Sequence, residues 1–197
     1  GPHIIGMKLK QCYPYIKWIA DMRDAISEPR NATFFYKRRI RKLENKVLNK
    51  CDYLLAVSKP QVELFKQHYQ GEKINKFYQI RNGFDFAFEP NRRKSKKAYF
   101  SIIYAGSFYG AIKPNNFFLA LLRVLEKHEM KLKVRIIGNK APIEIPLGLR
   151  NIVSEESTLP YEAICKEMKN ADALLMVTPS CLEKGIYTGK LFDYLGS

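Results

Sequence analysis

Residues 102–116 read IIYAGSFYGAIKPNN. A short apolar run, partly β-branched, leads into Gly106-Ser107. A second glycine follows at Gly110, and Pro114-Asn115 opens a helical pattern. Such a run fits a strand covered on both faces of a parallel sheet. Glycines after it let backbone approach a ligand, and a helix N-terminus at a strand's carboxyl end is a phosphate site. The spacing is neither a Gly-x-Gly-x-x-Gly fingerprint nor a P-loop, because no Gly-Lys-Ser/Thr follows. Alone, the stretch is equally an ordinary βα turn.

Working outward, similar apolar runs recur at residues 16–20 (IKWIA), 53–57 (YLLAV), 132–137 (LKVRII) and 173–177 (ALLMV), with a short one at 77–80. Helical patterns lie between them. Tyr36, Ile40, Leu43 and Val47 recur at i, i+4, i+7 and i+11, one inward stripe of a helix. Residues 60–69 follow Ser58 as N-cap, and residues 115–127 and 161–170 make further helices. Strands alternating with helices predict an α/β fold with parallel sheets. A polar, basic stretch, EPNRRKSKKAY at 89–99, divides two such units.

The 197 residues carry 34 Lys and Arg against 19 Asp and Glu, a net charge of +15. That balance favours an anionic partner. Seven cations crowd residues 37–50 and five crowd 92–97. No apolar run approaches the roughly 18 to 20 residues that span a bilayer. Cys12, Cys51, Cys165 and Cys181 form no Cys-x-x-Cys pair and read as reduced thiols of a cytoplasmic protein. The three histidines form no metal pattern. Gly1-Pro2 reads either as a cleavage scar or as part of a native loop.

Four stretches carry candidate chemistry. DMRD places Asp21, Arg23 and Asp24 after the first strand run, where open α/β sheets hold function. IRNGFD at 80–85 predicts a tight turn with Gly83 at positive φ. IIGNK ends a strand on Gly138, where a bulky side chain would block a flat ring. GIYTGKLFDYLGS, at 185–197, combines Tyr187, Thr188, Lys190 and Asp193. A helix beginning near Thr188 puts Lys190 and Asp193 on one face. They are either a surface ion pair or a lysine for phosphate and a carboxylate for a ribose diol.

In this order, DMRD, ENKVLNKCDYLLAVS, IRNGFD, YAGSFYG, IIGNK, LPYEAICKEMKNADALLMV and GIYTGKLFDYL resemble the retaining glycosyltransferases of family 4, of the capsule and lipopolysaccharide type. The resemblance implies the GT-B fold, with two Rossmann-like domains that are both incomplete in this chain. Residues 1–90 would be the C-terminal part of the acceptor-side domain, 91–98 a basic linker, and 99–197 a truncated nucleotide-sugar domain. The opening strands and the closing strand and helix are expected outside the chain, which would leave this piece inactive by itself.

The implied function is transfer of a hexose from a nucleoside-diphosphate donor to a glycan or lipid-linked acceptor, with retention. Gly106 and Ser107 would meet the diphosphate, and Gly138 the base. Asp193 takes the place of the second acid of the family's Glu-x7-Glu motif, and Gly185 that of the first, with Glu183 nearby. Many members carry an arginine where Ser107 stands, so Lys113 or Lys190 would supply charge. Tyr187 and Thr188 complete the donor side. Asp21, Arg23, Asp24 and Lys190 are the expected catalytic group. No metal or other cofactor is expected, since no Asp-x-Asp motif occurs. The basic helix around residue 40 suggests docking on an anionic membrane from the cytoplasmic side. Two other readings are a basic nucleic-acid-binding α/β protein and a GT-B nucleotide-sugar epimerase. Against the first, aromatic residues do not interleave the cations; against the second, no acid/base cluster of carboxylates and histidines is visible.

Overall fold

The computed structural model describes residues 1–23, 33–69, 71–87, 98–110, 112–178 and 188–197. They fall into two units, Gly1–Asn82, and Gly83–Leu182 with Thr188–Ser197. Each is built on its own parallel sheet. The basic linker expected at 91–98 lies, but for residue 98, outside the described residues.

The first unit runs α1 (Pro2–Cys12), β1 (Ile19–Met22), α2 (Phe34–Lys50), β2 (Tyr53–Ala56), α3 (Lys59–His68) and β3 (Phe77–Gln79), in sheet order β1-β2-β3. Pro2 opens α1, where a missing N–H costs nothing. Ser58 caps α3 by accepting from Gln61 N at 3.2 Å. The core gathers Met22, Leu48, Leu54 and Phe65 between sheet and helices.

Three expectations need correction here. The first strand begins at Ile19, three residues later than the apolar run. The backbone before it is drawn aside: Lys10 donates to the carbonyls of Pro14 and Ile16, and Trp18 N–H donates to Asp52 at 2.8 Å. Asp21 therefore sits within the strand, on its exposed alternation, while Met22 is buried. In α2 the inward face is Glu44, Val47 and Leu48, with Ile40 and Leu43 half-buried; Tyr36 is exposed. Gly83 does not take positive φ, and residues 80–85 form no turn. Asn82 Oδ1 there accepts from the Arg23 guanidinium, and among the described residues no atom crowds Gly83.

The second unit runs β4 (Phe100–Ala105), α4 (Asn115–Lys127), β5 (Leu132–Ile137), β6 (Val153–Glu156), α5 (Tyr161–Asn170), β7 (Ala173–Leu174) and α6 (Gly189–Gly196). Its sheet order is β6-β5-β4-β7. The order puts β4 and β5 at the centre, so their carboxyl ends lie side by side. Tyr104, Phe118, Val134 and Ile136 are fully buried around them. Arg135 on β5 holds Glu156 on β6 with two contacts of 2.6 Å and also reaches Glu167 on α5. The carboxylates push Arg135 up, and Arg135 holds Glu156 below its usual range. At the other end α6 is seated by Gly196, where an added Cβ would fall 2.5 Å from the Phe84 ring.

Candidate functional site

The two central strands of the second unit end on glycines that only a residue without Cβ tolerates easily. Gly106 has φ 115° and Gly138 has φ 82°; Gly110 follows at 55°. Gly106 N–H donates to Ile137 O at 2.8 Å, closing one turn on the other. Asn139, just past β5, fixes the pair. Its Oδ1 accepts from Phe108 N at 3.1 Å and Ala141 N at 3.2 Å, and its amide donates to Ala141 O at 2.6 Å and Glu155 at 2.9 Å. Ser107 Oγ accepts from Lys140 N at 3.0 Å. The Gly106 and Phe108 N–H groups are thus occupied by the protein, so the positive charge of this corner falls mainly to a side chain.

That side chain is Lys190, on the first turn of α6. Its ammonium donates to Tyr104 Oη at 2.7 Å and lies 4.1 Å from the centre of the same ring. It also fills the space above Gly106: a Cβ there would fall 2.8 Å from Lys190 Cε and Nζ. Tyr104 cannot yield, being 1% exposed and stacked on Phe108 at 4.1 Å and 11°. Burial lowers the Lys190 ammonium and raises the Tyr104 phenol, so the phenol serves as a neutral acceptor. Among the described residues no carboxylate lies within ion-pair distance of Lys190.

One turn further on, Asp193 does not pair with Lys190. Its carboxylate accepts at 3.5 Å from Tyr161, at the start of α5. Burial raises the Asp193 carboxyl, and Asp85 nearby adds to the rise. Burial and the Asp193 charge push the Tyr161 phenol up to about 12. Tyr194, next along α6, accepts from Ala105 N at 3.0 Å and fastens the helix to the end of β4. Thr188 stands at the N-cap of α6 without a side-chain cap bond.

Among the sequence candidates, the structure gathers Gly106, Ser107, Gly138 and Lys190, with Asp193 and Thr188 on the same helix as Lys190. Lys113 is exposed and lines a separate groove of about 360 Å³ with Phe108, Pro142 and Glu144. Asp24 and Tyr187 lie outside the described residues. In the first unit Arg23 donates through Nε to Asp21 at 3.0 Å and also reaches Asn82, while Gln61 holds the Arg23 carbonyl at 2.8 Å. Burial lowers the half-buried His3 imidazole, with Asp21 pulling the other way. Sequence reasoning missed Tyr104, Asn139, Tyr161 and Tyr194. All four stand inside motifs read in the sequence, but Tyr104 looked like any buried strand residue.

No family model and no curated protein matches the chain. Its fold does match solved structures. One is Anabaena HepE in complex with UDP and glucose, at 14% identity and TM-score 0.57, over 87% of this chain and 49% of that one. Another is S. aureus TarM with fondaparinux, alpha-GlcNAc-glycerol and UDP, at 12% identity and TM-score 0.55, over 80% and 31%. A third is the lipopolysaccharide outer core galactosyltransferase WaaB in its apo form, at 18% identity and TM-score 0.50, over 90% and 54%. All three are GT-B glycosyltransferases, and the α/β fold with parallel sheets is shared with them. The chain spans about a third to about half of their lengths.

Proposed function

We propose that the chain is part of a retaining glycosyltransferase that moves a hexose from a nucleoside-diphosphate donor to a glycan or lipid-linked acceptor of envelope polysaccharide synthesis. The observation that carries this reading is Lys190. It is a half-buried ammonium without an ion-pair partner among the described residues, held by a neutral phenol above a glycine at the end of the central strand. An ammonium so placed awaits an anion, and the shared fold makes a nucleoside diphosphate the best candidate.

In this proposal the second unit is the nucleotide-sugar domain and the first the acceptor side. The diphosphate lies over Gly106 and Ser107, against Lys190. As the glycosidic bond breaks, negative charge grows on the leaving phosphate, and Lys190 stabilises it in a partly desolvated setting. The N-terminus of α4, which lacks a side-chain cap, adds to the field. Asp193 accepts hydrogen bonds from the ribose diol, and Tyr161 fixes its rotamer. The base lies along Gly138. On the same face as the departing phosphate, the acceptor hydroxyl attacks the anomeric carbon and the phosphate takes its proton. Asp21, Arg23 and Asp24 orient the acceptor, and Tyr187 and Thr188 border the donor. This scheme calls for no resident metal or other cofactor.

Calorimetry of the chain with UDP, GDP, UMP and a DNA duplex tests the reading. A nucleoside diphosphate should bind more tightly than the monophosphate, and Lys190→Met should erase that preference. Binding of neither diphosphate, or a preference that survives the substitution, would defeat it.

A further inference from the structure

The outward face of α2 differs in kind from its buried face of Glu44, Val47 and Leu48. Phe35, Arg38, Arg39, Lys42 and Lys46 recur at i, i+3, i+4, i+7 and i+11, so they form one stripe opposite Val47 and Leu48. At 1.5 Å per residue the stripe is about 16 Å long. All five residues are exposed. Among the described residues no carboxylate lies within ion-pair distance of the four cations. The one acid of the helix, Glu44, is 0% exposed and turned to His68 at 3.0 Å, so it does not dilute the surface charge. At the N-terminal end, Phe34 and Phe35 stand 74% and 80% exposed, with their rings edge to face at 5.9 Å.

Exposed cations alone describe any polyanion surface. The phenylalanines decide between partners. Two benzyl groups this open to water cost free energy unless something apolar receives them. A strand of nucleic acid would need flat aromatic faces interleaved with the cations; these rings stand edge to face, together, at one end. A lipid surface meets both needs, since its anionic headgroups face cations and its acyl boundary accepts rings. Among the described residues no helix is long and apolar enough to cross a membrane, so attachment through α2 itself would be peripheral.

We propose that the outward face of α2 docks the first unit on an anionic lipid surface, with Phe34 and Phe35 entering the headgroup layer and Arg38, Arg39, Lys42 and Lys46 lying along it. The docking stands apart from the glycosyltransferase reading, because it is a property of one helix and is measured without nucleotide.

The test is co-sedimentation of the full chain with vesicles of phosphatidylcholine alone or mixed with phosphatidylglycerol. A DNA duplex is offered in a parallel binding assay. Wild type should pellet with the anionic vesicles only, and less so as salt shortens the Debye length from about 14 Å toward about 4 Å. Each cation contributes roughly fivefold, so replacing all four by Gln should weaken attachment at least a hundredfold. Phe34→Ser with Phe35→Ser should weaken it roughly tenfold or more and leave any DNA binding unchanged. The substitutions are all at exposed positions, and unaltered melting curves would show that the fold is kept. The proposal is overturned if wild type ignores anionic vesicles at low salt. It is equally overturned if the serine pair binds vesicles like wild type, which would make the face a general polyanion surface.

Discussion

Arg23, just past β1, donates to Asp21 and Asn82, and its carbonyl is held by Gln61. Lys190, beside the end of β4, donates to a phenol. Both cations stand at the carboxyl edge of a parallel sheet, yet their surroundings differ in kind. The guanidinium already has a carboxylate and an amide, in a setting where both Arg23 and Asp21 are exposed. The ammonium is half-buried, has lost much of its water, and meets no opposite charge among the described residues. A cation paired within its own unit leaves little energy for a ligand. A desolvated and unpaired one gains most when an anion arrives. The same contrast holds for acids. Glu156 is held below its usual range by Arg135, whereas Asp193 is raised by burial, with the Tyr161 phenol as its donor and Asp85 nearby.

The largest effect should come from the unpaired cation. Lys190→Met keeps the stem and removes the charge, and should weaken UDP or GDP binding by roughly 1.5 to 3 kcal/mol, with little change for a nucleoside. Since the ammonium is lowered by burial, diphosphate affinity in wild type should also fall at alkaline pH before the ordinary lysine range is reached. That limb should vanish in Lys190→Met. A titration in which both proteins lose affinity together would place the charge elsewhere.

Next in size is a contrast between two glycines. Gly106→Ala and Gly138→Ala each force an L residue to positive φ, at a cost of about 1 to 3 kcal/mol in stability. The cost in binding should not be shared. A methyl group on Gly106 meets the Lys190 ammonium at 2.8 Å, while one on Gly138 has its nearest neighbour at 3.6 Å, the Thr158 Oγ1. Melting curves should therefore shift for both, and diphosphate affinity should drop further for Gly106→Ala. Equal losses of affinity would mean that backbone strain, and not the position of Lys190, controls the site.

These two glycines also show what was legible in the sequence. A glycine that ends an apolar run is a local signal, because the strand and the turn are made by neighbouring residues. So are the Ser58 cap and the helices at 115–127 and 161–170, which the structure reproduces. What stayed hidden depends on distant residues. Lys190 meets Tyr104 across 86 positions, and Tyr194 meets Ala105 across 89. No spacing rule announces such pairs. Strand β6 was missed because VSEE is polar; it forms since Val153 is buried while Glu156 is neutralised by Arg135. The start of β1 was misread because Lys10 and Asp52, far from it in sequence, capture the backbone that precedes it.

The two acids should respond to pH in opposite directions, with effects of about 1 kcal/mol or less. Asp193 is raised in the folded chain, so the fold binds its proton more tightly than the unfolded chain does. Stability is then lost as pH rises from the ordinary aspartate range through the raised value. Asp193→Asn should remove that loss, leaving the variant slightly more stable at neutral pH while it binds nucleotide less well. Glu156 is lowered, so its contribution is present above the ordinary glutamate range and is lost as pH falls through the depressed value. Glu156→Gln should be less stable at neutral pH and should bind nucleotide as wild type does. Chemical denaturation at several pH values separates the two. Parallel behaviour would mean that Asp193 is a structural acid like Glu156.

The smallest effect is expected at Arg23. Its contacts with Asp21 are exposed on both sides, and exposed pairs contribute about 0 to 1 kcal/mol once side-chain entropy and screening are counted. Arg23→Gln keeps a hydrogen-bond donor for Asn82 and removes the charge. The melting temperature should hardly move, and what movement there is should shrink at high salt. Nucleotide affinity should not change, because Gly106, Ser107, Gly138, Lys190 and Asp193 all belong to the second unit. Transfer is the readout that could still respond, through the acceptor. A rise in the acceptor KM at constant donor affinity, measured on the enzyme that contains this chain, would keep Arg23 as an acceptor-side group. A fall in nucleotide affinity would instead place Arg23 at the donor and erase the contrast with Lys190.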